Sequence, residues 1–368
     1  MQQRKIKVII SGGGTGGHIF PAIAIANALK ALNNENEILF VGANGRMEME
    51  KVPAAGYKIE GLNISGLQRK LSFKNLLFPF KVVASVMKAK GIIKNFKPDV
   101  AIGVGGYASG PLLYAAAGMK VPTLIQEQNS FPGITNKILS KRVNRICVAY
   151  EGMEKFFPKG KIMLTGNPVR QDILQLEGKR EEGQKHFGLT TGKTTVLVIG
   201  GSLGARTINE SIIESLGFFT VSKLQLIWQT GKSFFEQAKE AAKNSGNENI
   251  KVFDFIGKMD YAYAAADIVI SRAGASSVSE LCLVKKPAIL IPSPNVSEDH
   301  QTKNAMALVN KQAALLVKDA EARKKLTEVL DRLLKNEAHQ KSLSKNIGKM
   351  AIKNSAEVIA KEVYNLVG

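Results

Sequence analysis

Short apolar runs that end in glycine clusters and lead into helical spacing recur along the whole chain. Residues 5–10 (KIKVII) form a β-branched run that stops at Ser11-Gly12-Gly13-Gly14-Thr15-Gly16-Gly17-His18. A helix is expected from about Pro21 to Leu32, with Pro21 in its first turn, where a missing amide hydrogen costs little. The same pattern returns downstream, with a strand at 194–199 (TTVLVI), a loop Gly200-Gly201-Ser202-Leu203-Gly204 and a helix at 205–216. A second pair also repeats. Residues 98–102 run into Gly103-Val104-Gly105-Gly106-Tyr107, a helix and a strand at 121–125; residues 266–270 run into Ser271-Arg272-Ala273-Gly274, a helix and an apolar run at 286–291.

Strands alternating with helices predict parallel sheets covered on both faces. The expected fold class is α/β, with two similar Rossmann-like domains in tandem, their sheets facing a central cleft. The turn-rich stretch Thr165-Gly166-Asn167-Pro168 marks the boundary. The first domain is expected to hold 1–166, with 346–368 crossing back to it, and the second 167–345. A length of 368 residues agrees, being more than one core usually serves.

Composition narrows the class. At 45% hydrophobic and 22% charged the chain is ordinary globular protein, and no run of ~18 apolar residues predicts a membrane span. The first residues lack the pattern of a signal peptide, so a cytoplasmic protein is expected. Cys147 and Cys282 are far apart and form no C-x-x-C pair, which predicts buried free thiols. The formal charge of +20 favours phosphate-rich partners (nucleic acid, anionic lipid or a phosphorylated substrate) without choosing among them.

Gly12, Gly14 and Gly17 fit G-x-G-x-x-G between a strand and a helix, a spacing that lets backbone amides approach phosphate. A tight turn without a ligand explains a single loop as well. The dinucleotide version also needs an acidic residue after the second strand, yet residues 38–41 run into Gly42-Ala43-Asn44-Gly45, which speaks against NAD. In the second half, Gly274-Ala275-Ser276-Ser277-Val278-Ser279-Glu280 opens a helix with small residues. Its amides and hydroxyls suit a pyrophosphate, and the Glu280 carboxylate suits the vicinal hydroxyls of a ribose. A helix cap with Glu280 answering the dipole is the competing explanation.

No Asp-x-Asp occurs, so a departing diphosphate would rely on helix N-termini and on cations such as Arg170 and Lys303. Arg170, at the boundary, is otherwise a surface arginine. Of the four histidines, His186 and His339 sit in Lys-rich surroundings, while His18 closes the first glycine loop and His300 follows a strand. An imidazole there suits removal of a proton from an attacking hydroxyl; a structural His18 is the alternative.

Gly13-Gly14-Thr15-Gly16-Gly17-His18, Gly105-Gly106-Tyr107-Ala108-Ser109-Gly110-Pro111, Glu127-Gln128-Asn129, Thr135-Asn136-Lys137, Gly166-Asn167-Pro168-Val169-Arg170, Gly200-Gly201-Ser202 with Gly204-Ala205, and Ser279-Glu280 occur in this order. In series they resemble the MurG family of bacterial peptidoglycan N-acetylglucosaminyltransferases over nearly the whole chain. The resemblance implies a GT-B fold and an inverting transfer that needs no metal or other cofactor. N-acetylglucosamine would pass from UDP-N-acetylglucosamine to the 4-hydroxyl of the muramic acid of lipid I, giving lipid II and UDP. It also implies donor contacts from Thr15, Gly16, Gly17, Asn129, Arg170, Ser202, Ile256, Ala275, Ser276, Ser277, Val278, Ser279, Glu280 and Gln301. Ile256 would face the uracil, Glu280 the ribose and Gln301 the sugar. His18 is the implied general base, and Gly105, Gly106 and Tyr107 belong to the acceptor side. Two departures from the family pattern are Ser276-Ser277 and Gln126, which stands where histidine is common.

Residues 61–97 carry Arg69, Lys70, Lys74, Lys81, Lys88, Lys90, Lys94 and Lys97 and no acid after Gly61, interleaved with Leu71, Phe73, Leu76, Leu77, Phe78, Phe80, Val82 and Val83. Cations beside apolar groups suit an anionic bilayer, and so does a solvated basic face over a buried helix side. With the lipid-linked acceptor that the resemblance implies, peripheral attachment to the cytoplasmic face of the inner membrane is expected, with cell-wall synthesis proteins as candidate partners. A UDP-N-acetylglucosamine 2-epimerase is the nearest rival, though it leaves the basic stretch and the 103–110 glycines without a use. Nucleic acid is not expected as a partner, since 7% aromatics and no stacking platform accompany the charge.

Overall fold

A computed structural model describes residues 4–64 and 78–368. Its contacts divide the chain into two compact units, residues 1–169 with 353–368 and residues 170–352. The divisions fall a few residues beyond the expected 166/167 and 345/346. The second shift has a simple cause: the helix Glu337–Lys349 is continuous and buries Leu343 and Ile347 in the second unit, so the chain crosses back only after it.

The first unit is built on β1 (Lys7–Gly12), β2 (Glu37–Ala43), β3 (Lys58–Leu62), β4 (Val100–Gly105), β5 (Thr123–Glu127), β6 (Arg145–Val148) and β7 (Ile162–Leu164), in the order β3-β2-β1-β4-β5-β6-β7. Every pairing is parallel, with Val8 opposite both Ile38 and Val100. Strands this apolar suit a sheet buried on both faces. The closing helix Ser355–Val367 packs Ile359, Ala360 and Val363 against Ile19, Ile25 and Leu29 of the helix Gly16–Leu32. Two polar links fasten it, Asn36 to the Tyr364 hydroxyl and Arg145 to Glu362.

The second unit repeats the plan with β8 (Thr195–Ile199), β9 (Gln225–Gln229), β10 (Ile250–Phe253), β11 (Ile268–Ser271), β12 (Ala288–Leu290) and β13 (Leu315–Leu316), in the order β10-β9-β8-β11-β12-β13. All pairs are again parallel. Trp228, Phe219, Ile208 and Leu330 fill one core layer.

In each sheet the strand order reverses once, at β1/β4 and at β8/β11. Open α/β sheets hold ligands at the carboxyl ends of the strands where this reversal occurs. The glycine loops after β1 and β4, and the small-residue loops after β8 and β11, stand at those ends.

One helix starts earlier than its pattern suggests. It begins at Gly16, with Thr15 at the N-cap and the amides of His18 and Ile19 both donating to the Thr15 carbonyl at 3.1 Å. Pro21 therefore lies in the second turn instead of the first, and residue 21 offers the Gly17 carbonyl no amide hydrogen. The low helix propensity of Gly16 and Gly17 hides the true start.

Candidate functional site

The first glycine loop is held from below by a carboxylate that its own sequence does not contain. Glu48 opens the short helix Glu48–Ala54, which folds back beneath the loop. Its buried carboxylate accepts the Gly14 amide at 2.8 Å and the Ala43 amide at 3.0 Å. A Cβ on Gly13 would come within 2.2 Å of that carboxylate, so only glycine fits. The Gly14 amide is thereby already engaged by the Glu48 carboxyl group. Glu48 also supplies the acid that seemed missing after β2, engaged with amides and not available to a ribose.

His18 lies half-buried in the first turn of the helix, its Nδ1 at 2.9 Å from Gln128 Oε1. The ring rests on Gly105, where a Cβ would stand 2.7 Å from Nδ1 and Cε1; Gly105 also has φ +103°. Gly106, at φ +89°, approaches Gly13 so closely that a Cβ would be 2.4 Å from the Gly13 carbonyl oxygen. The implied acceptor glycines are thus also what lets the β1 and β4 loops touch. Tyr107 beside them is exposed.

Glu127 organises the next loop. One oxygen accepts the Asn129 amide and side chain at 3.0 and 3.2 Å, and the other accepts Asn136 at 2.8 Å and the Gly133 amide at 3.2 Å. The buried Glu127 therefore presents Asn129, while Thr135-Asn136-Lys137 closes the loop from the far side, with Lys137 Nζ 3.9 Å from the Phe131 ring centre. Gln126 is fully buried and bonded to Asn167 and Gln128.

In the second unit, Glu280 is held by side chains from outside its own helix. It sits well inside the helix Ala275–Val284, and its oxygens meet the Tyr263 hydroxyl at 2.9 Å and Arg170 Nε at 3.3 Å. Burial pushes its pKa up, with Arg170 and Tyr263 pulling against that shift. Burial and the neighbouring carboxylate likewise raise Tyr263 well above its ordinary value. Both oxygens thus keep an acceptor lone pair beyond their present partners. Ser276 and Ser277 are half-buried at the start of the helix.

Gln229 ties two loops together. Its side chain donates to the Gly201 carbonyl at 3.0 Å and accepts the Ile256 amide at 2.9 Å, so the walls carrying Ser202 and Ile256 have one fixed spacing. The Ile256 side chain is buried and Phe255 beside it is exposed. Gln301 accepts the Ser293 amide at 2.9 Å, and Lys303 donates to the Glu298 carbonyl at 2.9 Å. Arg272, in the loop after β11, is turned inward onto the Ile291 and Pro292 carbonyls and Asp319.

The named residues therefore divide into two groups. Thr15, Gly16, Gly17, His18, Gly105, Gly106, Tyr107 and Asn129 stand at the strand ends of the first unit. Ser202, Ile256, residues 275–280 and Gln301 follow strands of the second, and Arg170, ahead of that sheet in the chain, is in direct contact with Glu280. Glu48, Tyr263 and Gln229 are the partners that sequence reasoning did not single out, and Gln128, named there only within a motif, was given no role. Both cysteines are buried and free, and burial pushes each thiol up to about 12. Among the described residues, no group of three or more His, Cys, Asp or Glu side chains is placed to hold a metal ion.

Known proteins place this architecture. A transferase of Cytophaga hutchinsonii named UDP-N-acetylglucosamine–N-acetylmuramyl-(pentapeptide) pyrophosphoryl-undecaprenol N-acetylglucosamine transferase is 58% identical, covering 100% of this chain and 98% of its own. The crystal structure of Acinetobacter baumannii MurG matches with a TM-score of 0.79 at 28% identity, over 98% of this chain and 100% of that one. A UDP-GlcNAc 2-epimerase of Neisseria meningitidis bound to UDP-GlcNAc matches at 14% identity with a TM-score of 0.66, over 98% of this chain and 100% of that one, a likeness of fold alone. Family models for the N-terminal and C-terminal domains of glycosyltransferase family 28 match residues 8–148 and 195–363. The chain belongs to glycosyltransferase family 28 and is a GT-B enzyme of the MurG type.

Proposed function

We infer that this enzyme transfers N-acetylglucosamine from UDP-N-acetylglucosamine to the muramyl sugar of lipid I, an undecaprenyl-pyrophosphate-linked acceptor, giving lipid II and UDP. The observation that carries this reading is the 58% identity, end to end, with a transferase bearing that name. The second unit (170–352) is the UDP-sugar domain and the first the acceptor and membrane domain. The ribose diol bonds to the Glu280 oxygens, the uracil lies against the Ile256 loop, and Gln301 and Asn129 meet the sugar. Ser202, the start of the helix Ala275–Val284 and Arg170 bear the charge of the diphosphate.

The chemistry is one displacement with inversion. The 4-hydroxyl oxygen of the acceptor attacks the anomeric carbon, the bond from that carbon to the β-phosphate oxygen breaks, and His18 takes the hydroxyl proton. Fixed amides and Arg170 answer the charge that develops on UDP without a metal ion. Thr15, Gly16 and Gly17 line the approach, with Gly105, Gly106 and Tyr107 on the acceptor side.

The helix Phe78–Phe96 supports the membrane reading. It buries Ser85, Ala89, Ile92 and Ile93, yet leaves Phe80, Val83 and Met87 exposed on one face beside the exposed Lys81, Lys90 and Lys94. Arg69, Lys70, Leu71, Phe73, Lys74, Leu76 and Leu77 lie outside the described residues. Among the described residues, no helix is long and apolar enough to cross a membrane. We place the enzyme peripherally on the cytoplasmic face, with cell-wall synthesis proteins as its partners.

The test is incubation with UDP-N-acetylglucosamine labelled in the sugar, with and without a lipid I analogue. Label entering the lipid fraction only with acceptor is the expected result. Conversion to the manno sugar without acceptor would assign the epimerase instead.

A further inference from the structure

The three side chains behind His18 form a closed ring of amide hydrogen bonds with only one polarity. Three oxygens surround Gln128 Nε2: the Val104 carbonyl at 2.7 Å, the Gln126 carbonyl at 3.3 Å and Gln126 Oε1. Backbone carbonyls only accept, so the amide nitrogen of Gln128 has to face them. Gln126 Nε2 then donates to Asn167 Oδ1 at 2.9 Å, and Asn167 Nδ2 donates to the Gln128 carbonyl at 2.9 Å. Turning any one amide over would set oxygen against oxygen or NH2 against NH2. Gln126, Gln128 and Asn167 are all buried, so water is not at hand to repair such a fault.

The consequence reaches the imidazole. With its nitrogen committed inward, Gln128 shows His18 only an acceptor, Oε1, at 2.9 Å from Nδ1. That contact is a hydrogen bond only when Nδ1 carries the proton, and the neutral ring then bears its lone pair on Nε2. We propose that Gln128 is a positioning residue, its amide locked by Gln126 and Asn167, that holds His18 as the Nδ1–H tautomer and so keeps Nε2 open to accept the proton of the acceptor hydroxyl. Histidine in water prefers the opposite tautomer, so the ring of amides does work that a loosely held side chain would not. Gly105 contributes by admitting the ring to this place, since a Cβ there would collide with it. The position of Gln126 gains a purpose as well: it contributes a neutral amide at the back of the site, where it supports a polarity instead of touching substrate.

The inference rests on His18 acting as the base of the proposed transfer, and its test reads the tautomer apart from activity. The chain has four histidines, so isotope-labelled histidine gives a tractable long-range nitrogen–proton correlation spectrum, with the His18 signals assigned by their loss in His18→Gln. In the wild-type enzyme at mildly alkaline pH, His18 is expected as the Nδ1–H form. In Gln128→Leu it is expected to revert toward Nε2–H, with kcat down by about tenfold or more and KM for the UDP-sugar unchanged. A wild-type His18 found mainly as Nε2–H overturns the proposal, and so does a Gln128→Leu enzyme with the wild-type tautomer and kcat. If that variant fails to give a cooperative thermal transition, the wild-type spectrum decides alone. UDP affinity, measured on the same samples, belongs to the second unit's residues, so its loss would count against the donor reading and not against the tautomer.

Discussion

Replacing Glu280 by glutamine separates ligand chemistry from folding. The carboxylate offers two acceptor oxygens to a vicinal diol while also receiving Tyr263 and Arg170. An amide of the same shape offers one, so at least one charge-assisted bond to the ribose is lost. Such a bond contributes about 1.5–3 kcal/mol, which weakens UDP binding roughly 10- to 150-fold. Stability should respond differently. The amide oxygen still accepts from Tyr263, and Arg170, with its side chain 38% exposed, regains water. Glu280 also holds its proton more tightly in the folded protein than at the ordinary value of 4.5, because burial disfavours the charge. A raised carboxyl pKa costs stability at neutral pH, and the cost fades as the pH falls through the raised value toward 4.5. Glutamine carries no such cost, so the melting temperature of Glu280→Gln relative to wild type should be most favourable near neutrality and decline in acid. Calorimetric titration with UDP and thermal melts from neutral to acid pH measure both halves. The reasoning is refuted if UDP affinity stays within the error of wild type. It is refuted equally if affinity and neutral-pH stability collapse together, which would make Glu280 a structural prop.

Other expectations follow from single contacts. Glu48→Ala leaves the Gly14 and Ala43 amides without their acceptor and should lower stability by about 2–4 kcal/mol, seen in denaturant melts of the first unit's transition. Gly105→Ala puts a methyl into the His18 ring at a backbone angle that favours glycine; turnover should fall by about tenfold or more while UDP affinity holds. Cys147 and Cys282, with thiols near 12, should resist alkylation at pH values well below that in the native enzyme and react on unfolding, as a mass-spectrometric time course will show. Replacing Phe80, Val83 and Met87 together by serine should weaken binding to anionic vesicles in a sedimentation assay; unchanged binding would remove the helix Phe78–Phe96 from the membrane reading.

The alternation of apolar runs and helical stretches made the central strands of both sheets legible, because a parallel strand buried on two faces is short, apolar and β-branched, whereas β3, β6, β7, β9, β10 and β13 were not read. The helix start before Glu280 was legible too, since it is local: Gly274 to Glu280 lies within two turns. What was hidden is what folding brings from a distance. Glu48 reaches the first glycine loop from beyond the second strand, and Tyr263 approaches Glu280 from the preceding helix. Gln229 bridges loops after β8 and β10 from the end of β9. The amide ring behind His18 escaped for another reason. Its direction is set by backbone carbonyls of β4 and β5, which no residue type reveals. Pro21 misled because glycines at the head of a helix look like loop.

The central claim is that the enzyme moves a sugar from UDP to a lipid-linked acceptor using its own amides and arginine to carry the leaving charge. The direct measurement is transfer of labelled N-acetylglucosamine to a lipid I analogue in excess chelator, with the anomeric configuration of the product read by NMR. Undiminished transfer that gives the β-linked product is predicted. Transfer that stops until a divalent metal is restored, or a product that retains the α configuration of the donor, would contradict it.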